Sequence, residues 1–254
     1  MSNISVQLID SMGNDKRVAE VARISFAKDN LNIPEEVTAQ DRSLINYLAR
    51  GIKTSEFDQL LAGIVEGAGS REQAVKVYEQ IRHQATHWSP FAHTAFTIKC
   101  SAPIPIRTQL FKHTIGLVAN EESRRYISTR PELFLPDSIR SIPEGSIKQG
   151  SGDTHSMSKE WTDEYTKYCN SMIDLYEDMI EAGVCPEQAR FVLPQGVMVN
   201  WVWTGNIVAL ANVYNKRAEA HSQKEVQDFA HLLKEAIEPV MPLSWAALTR
   251  SQLD

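Results

Sequence analysis

Ile4, Val6 and Leu8 alternate with polar neighbours, the two-residue period of a half-buried strand. The period then changes: across Asp41–Gly51, Leu44, Ile45 and Leu48 share one helical face and Gly51 is a stop signal. Phe57, Leu60, Leu61, Ile64 and Val65 mark a second helix, closed by Gly67 and Gly69. Ser70 and Gln73 have capping-box spacing, and Ala74, Val77, Tyr78 and Ile81 continue into a third helix. Thr94–Cys100 reads as a strand, with Pro103 and Pro105 as punctuation after it. From Trp161 an amphipathic helix runs through Tyr165, Tyr168, Met172, Tyr176 and Met179 to Gly183. Pro186 suits the first turn of a short helix carrying Arg190. The β-branched and aromatic run Val197–Trp203 predicts a buried strand. Thr204 is placed to cap a helix from Asn206 to Arg217. Ser222 and Glu225 form another capping box ahead of Val226, Phe229, Leu233 and Ile237, which end at Pro239 and Pro242. With helices dominant and strands interspersed, the pattern predicts an α+β fold.

Composition narrows this picture. The chain has 254 residues, 43% hydrophobic and 23% charged, which excludes a wholly disordered protein. Residues 141–158 are rich in Ser and Gly and read as a surface loop within one domain rather than a linker. Cys100, Cys169 and Cys185 are odd in number and widely spaced, so a disulfide scaffold is not expected; reduced thiols imply a cytoplasmic compartment. No run approaches the ~18 apolar residues of a membrane span, and Met1–Ser5 lacks a secretory pattern. The balance of 26 Lys and Arg against 32 Asp and Glu, a formal charge of −6, argues against a nucleic-acid coat. It leaves room for a local basic pocket.

Such a pocket has a candidate in Arg107–Arg130, where Arg107, Lys112, Arg124, Arg125 and Arg130 outnumber Glu121 and Glu122. Asn120, Glu121, Ser123 and Arg125 bring amide, carboxylate, hydroxyl and guanidinium together, a set suited to phosphate. A solvated charged face with local ion pairs accounts for the same strip. A nucleotide- or RNA-binding module would also use strip 107–130, with Phe111 and Tyr126 as its only stacking aromatics. His83 and His87, four apart, with His93 beyond, have metal-ligand spacing, but Gln84 stands where a zinc peptidase needs Glu and Pro90 breaks the helix. Asn206 and Arg217 would share one helix face about 16 Å apart, either as the two ends of a long ligand site or as a helix with polar ends. Cys185, next to Pro186, is either a nucleophile at a helix start or a structural thiol.

Taken together, four ordered blocks resemble the flavin-dependent thymidylate synthases, the thymidylate synthase complementing protein family. They are His87-Trp-Ser89-Pro90-Phe91-Ala-His93; Gln109-Leu-Phe111-Lys112-His113-Thr114 leading to Asn120-Glu121-x-Ser123-x-Arg125-Tyr126; Glu187-x-Ala189-Arg190-x-Val192-Leu193-Pro194; and Trp203-Thr204-Gly-Asn206 followed by Arg217-x-x-x-His221-x-Gln223-x-Glu225. Arg23-x-Ser25-Phe26 adds weaker support. The family's Arg-His-Arg triplet is here Lys112-His113-Thr114, and one extra residue separates His113 from Glu121. Lysine keeps a point charge but not a bidentate phosphate contact.

The resemblance implies a single catalytic domain over 1–254 with an antiparallel-type sheet and insertions near 51–80 and 141–158. It implies reductive methylation of dUMP to dTMP, with methylenetetrahydrofolate as carbon donor and FAD, reduced by NADPH, as hydride donor, and no cysteine nucleophile. Arg217 matches the family's ring-activating residue. Gln109, Glu121, Ser123, Arg125, Arg190 and Arg217 match the dUMP site. His87, Ser89, Lys112, His113, Glu121, Asn206 and Asn212 match the FAD site. A homotetramer with sites shared between subunits is implied, and no metal, nucleic-acid or membrane partner.

Overall fold

The strand patterns become a four-stranded antiparallel sheet of order β1-β2-β4-β3, in which β1 is Ser5–Met12, β2 Ala95–Pro103, β3 Leu117–Glu121 and β4 Met198–Gly205. The structure is a computed structural model and describes residues 3–27, 36–51, 54–70, 73, 87–143 and 150–249. The third helix expected at Ala74–Ile81, and His83, lie outside the described residues. The chain divides into two compact units: Met1–Ile9, Ile98–Thr204 and Lys216–Leu233 form one, and Asp10–Thr97, Gly205–Asn215 and Lys234–Asp254 the other.

In the first unit, alternation along the strands sets the core. Ile98, Cys100 and Ala102 of β2 are fully buried while Lys99 faces out, and Val199, Trp201 and Trp203 of β4 follow the same period. Trp201 stacks on Phe229, with ring centroids 5.9 Å apart, and meets Phe111 edge-on at 5.7 Å. Phe229 belongs to the helix Lys224–Ile237, whose Val226, Ala230 and Leu233 are buried at helical spacing. Each such side chain removed from water contributes roughly 1.5–3 kcal/mol. The long helix Ser158–Glu181 buries only Cys169, Ile173 and Tyr176, and the Tyr176 hydroxyl donates to the Ile127 carbonyl at 2.9 Å.

Several boundaries differ from the sequence pattern for local reasons. Pro103 and Pro105 do not merely punctuate: they open a helix, Ile104–Leu110, with Pro105 in the first turn, where its missing N–H costs nothing. The helix beginning at Pro186 ends at Ala189, so Arg190 opens a 3₁₀ turn, Arg190–Val192. Thr204 remains in β4, and the cap of helix Ile207–Arg217 is Asn206, whose side-chain oxygen accepts from the Ala209 N–H at 2.9 Å. The Ser222 hydroxyl turns away from its expected capping role and donates to the Lys216 carbonyl at 3.3 Å.

The second unit is organised by buried charge. Helix Asp15–Arg23 is capped by Asn14, and it buries Asp15, Lys16 and Glu20. Asp15 accepts from the N–H groups of Leu243 and Ser244 at 2.9 and 2.8 Å, capping the helix Pro242–Leu248. Lys16 donates to Asp41 at 2.8 Å and lies 3.3 Å from Glu20; Arg23 bonds both Glu20, at 2.6 Å, and Asp41. Asp41 is fully buried and also forms a capping box with Thr38 at the start of helix Ala39–Arg50. Although burial alone would raise its pKa, the bonds from Lys16, Thr38 and Arg23 hold the Asp41 carboxyl well below the usual range.

A carboxylate whose folded pKa lies below its unfolded value adds stability that is complete above about pH 4 and drains as pH falls through the folded value. Asp41→Asn should therefore lose about 3–5 kcal/mol at pH 7 in urea denaturation, because it leaves buried Lys16 and half-buried Arg23 short of a partner. The gap to the parent protein should shrink below about pH 4; a gap independent of pH would show that the ion network does not hold this unit.

Candidate active site

Arg217 ends the helix Ile207–Arg217, and His113 lies in the turn after helix Ile104–Leu110. The Arg217 Nε donates to His113 Nε2 at 2.9 Å, and its Nη2 donates to the Gln109 carbonyl at 3.3 Å. Burial, then the charges of Arg217 and Lys216, push the His113 pKa down to about 4, so the ring is neutral at pH 7 and accepts at Nε2. No carboxylate among the described residues pairs with Arg217.

The guanidinium faces a cavity of about 790 Å³. Its polar wall includes Gln109, Arg140, Tyr165, Gln223 and Glu225, and Ile106, Phe134 and Ile139 supply apolar surface. A relay crosses this wall. Gln109 Nε2 donates to Gln223 Oε1 at 2.7 Å, and Gln223 Nε2 donates to Glu225 Oε2 at 2.9 Å. The other Glu225 oxygen pairs with Arg140, whose Nε donates to Ser151 Oγ at 2.7 Å. These bonds lower the Glu225 pKa against the upward push of burial. Arg140 is carried by an antiparallel pairing of residues 139–141 with 152–155: Ser141 N–H donates to the Asp153 carbonyl, Gly152 N–H to Ser141, and His155 N–H to Ile139, at 2.8, 2.9 and 2.9 Å.

Also in the lining, Tyr165 donates to the Phe134 carbonyl at 2.8 Å, and Phe134 N–H donates to the Gly196 carbonyl at 2.9 Å. The tyrosine lies so close over Gly196 that a Cβ built there would sit 1.9 Å from its hydroxyl.

Of the residues expected from the sequence, Gln109 and Arg217 line this cavity. Glu121, at the end of β3, lies with Oε2 3.0 Å from Arg107 Nε, yet both atoms are buried and too poorly aligned to satisfy each other. Burial raises the Glu121 pKa against the pull of Arg107. Ser123 Oγ accepts from Arg125 Nε at 3.1 Å, which presets a hydroxyl-guanidinium pair, and Arg190 Nε donates to the Glu187 carbonyl at 3.3 Å. Lys112 is exposed beside His113. In the second unit, His87 is exposed and stacks on Tyr47 at 5.7 Å; Ser89 begins the short helix Ser89–Ala92; Asn206 and Asn212 are half-buried on or beside helix Ile207–Arg217.

Strip 107–130 is mostly committed to local partners: Arg107 to Glu121, Arg124 to the Thr129 carbonyl, Arg125 to Ser123, and Arg130 to Asp174, at 2.7 Å, and Glu177. Among the described residues, no cluster of three or more His, Cys, Asp or Glu is arranged to hold a metal. Cys100 is buried in the sheet, where desolvation pushes its thiol up, and Cys185 is an exposed helix cap. Sequence reasoning missed Arg140, Ser151 and Tyr165 as members of the site; Ser151 lies in the Ser- and Gly-rich run 141–158, whose composition marks a loop but not a cavity wall.

Comparison with known proteins agrees with the sequence blocks. A family model described as thymidylate synthase complementing protein matches residues 7–243. The flavin-dependent thymidylate synthase of Thermosipho africanus is 30% identical over 226 residues, covering 89% of this chain and 82% of the relative. That of Thermotoga neapolitana is 29% identical over 245 residues, covering 96% and 90%. Among solved structures, the UMP/dUMP methylase PolB from Streptomyces cacaoi, bound with 5-Br dUMP, superposes with a TM-score of 0.73 at 25% identity, covering 97% of this chain and 94% of that one.

The close approach of Tyr165 gives the cavity wall a direct test. Gly196→Ala should cost about 1–3 kcal/mol through overpacking, whereas Gln195→Ala, at its exposed neighbour, should stay within about 0.5 kcal/mol. Equal denaturation midpoints for the two variants would show that Tyr165 does not pack on Gly196.

Proposed function

Because this chain belongs to the thymidylate synthase complementing protein family, we propose that it is a flavin-dependent thymidylate synthase, converting dUMP to dTMP with methylenetetrahydrofolate as carbon donor and NADPH as the source of reducing equivalents. The observation that carries this reading is the position of Arg217 at the cavity with Gln109, held by neutral acceptors alone among the described residues. Without a thiol attached to the pyrimidine, C5 becomes nucleophilic only if the ring can hold extra negative charge on N3 and its carbonyl oxygens. A fixed cation beside those atoms lowers that barrier. Arg217 supplies it with its charge unquenched.

Gln109 orients the ring from the same wall. Ser123, Arg125 and Arg190 bind the phosphate, with the Ser123–Arg125 contact already formed. Glu121 stands between the nucleotide and flavin groups. FAD, when bound, supplies the hydride. His87, Ser89, Lys112, His113, Glu121, Asn206 and Asn212 are the residues that would hold it. The chain's chemistry fits such a group: Lys112 offers an exposed ammonium, and the buried, unsatisfied Glu121 Oε2 and Arg107 Nε call for polar ligand atoms. We assign a cytoplasmic homotetramer with shared sites; among the described residues, no helix is long and apolar enough to cross a membrane.

The purified protein should absorb visible light after incubation with FAD, and should release the C5 hydrogen of dUMP only when NADPH and methylenetetrahydrofolate are both present. UMP belongs in the same assay, since PolB is a methylase of both nucleotides. Arg217→Ala should keep its FAD while turnover falls by about 10²–10³-fold. A protein that never takes up FAD would end this reading, and full activity in Arg217→Ala would end the role of the guanidinium.

A further inference from the structure

We propose that His113 is the positioning residue for Arg217: its Nε2 lone pair, together with the Gln109 carbonyl, pins one edge of the guanidinium and leaves the other edge for the ligand. The proposal deepens the reading above and rests on it for the role of Arg217. Both bonds to protein use the same side of the planar group, Nε to His113 and Nη2 to Gln109, while Nη1 has no partner among the described residues. A planar fork fixed along one edge cannot swing about its long side chain, so its remaining N–H groups point in a defined direction.

The imidazole does this only while neutral. A second proton on Nε2 would turn the acceptor into a donor facing a cation. Burial first, and then the local charges, keep that proton away. Arg217 and Lys216, from the end of helix Ile207–Arg217, both lower the pKa of the half-buried ring. Lys112, on its own turn, is a third nearby cation, and no carboxylate among the described residues bonds the ring. His113 thus has an occupation besides any flavin contact: Nε2 is taken by Arg217, and the N–H is left on Nδ1.

Turnover per bound FAD separates the two roles. His113→Phe should lose about 10–100-fold, the range of a misplaced charge-stabilising donor. His113→Gln, whose carbonyl can accept from the Arg217 Nε–H, should recover about tenfold of that loss. In the Arg217→Ala background His113→Phe should add almost nothing, because the two side chains act as one unit. A glutamine variant no better than phenylalanine, or losses that multiply in the double variant, would overturn the proposal. A nitrogen-detected NMR titration of the full-length protein provides a readout independent of turnover. The His113 ring should stay neutral down to about pH 4 in the parent protein and titrate at a higher pH in Arg217→Ala. Identical titration in both would refute the contact. A parent protein that makes no dTMP, yet shows this titration difference, would refute the assigned reaction and leave the contact standing.

Discussion

A cation held only by neutral acceptors is the constraint around which the first unit is arranged. Arg217 is half-buried, yet it meets an imidazole lone pair and a peptide carbonyl rather than a carboxylate. Such partners fix geometry without cancelling charge, so the field of the guanidinium remains directed into the cavity. The sheet makes this possible. Trp201, Phe111 and Phe229 form a rigid aromatic layer, and the turn that follows Phe111 carries His113.

Two other groups of charges are handled in the opposite way. Lys16, Glu20, Arg23 and Asp41 neutralise one another, and Arg140 is matched by Glu225. Buried ions ordinarily need that pairing because desolvation is costly. The contrast sets Arg217 apart from these paired ions, with a charge left to act on a ligand rather than stored in a pair. It also gives Arg23, one of the weaker family markers, a structural role in the ion network of helix Asp15–Arg23.

What the sequence shows and hides follows the same physics. β2, β4 and the helix Ser158–Glu181 are legible because each buries one face and so writes a clear period into the chain, and β1 is legible from its half-buried Val6 and Leu8. β3 is an edge strand with its three central residues exposed, and Leu117–Glu121 carries no alternation to read. Helix Asp15–Arg23 is hidden because its inward face is charged, and helix Ile104–Leu110 because its prolines look like breaks. Gln109 and Arg217 are legible as members of ordered motifs. Arg140, Ser151 and Tyr165 are ordinary residues in ordinary contexts, and only the tertiary fold brings them to one cavity. Gln223 and Glu225 belong to a motif, but the relay joining them to Gln109 and Arg140 depends on geometry that spacing does not encode.

The antiparallel pairing that carries Arg140 is fastened by three backbone bonds between residues 139–141 and 152–155, and by the side-chain contacts of Arg140. The innermost of these bonds runs from Gly152 to Ser141, and the Ser151 hydroxyl that holds Arg140 sits just inside it. Lengthening a closed loop costs little, about 0.6 kcal/mol per doubling. Chain added between residues 141 and 152 therefore costs little against those bonds, whereas a change at Ser151 reaches Arg140 directly and, through it, Glu225.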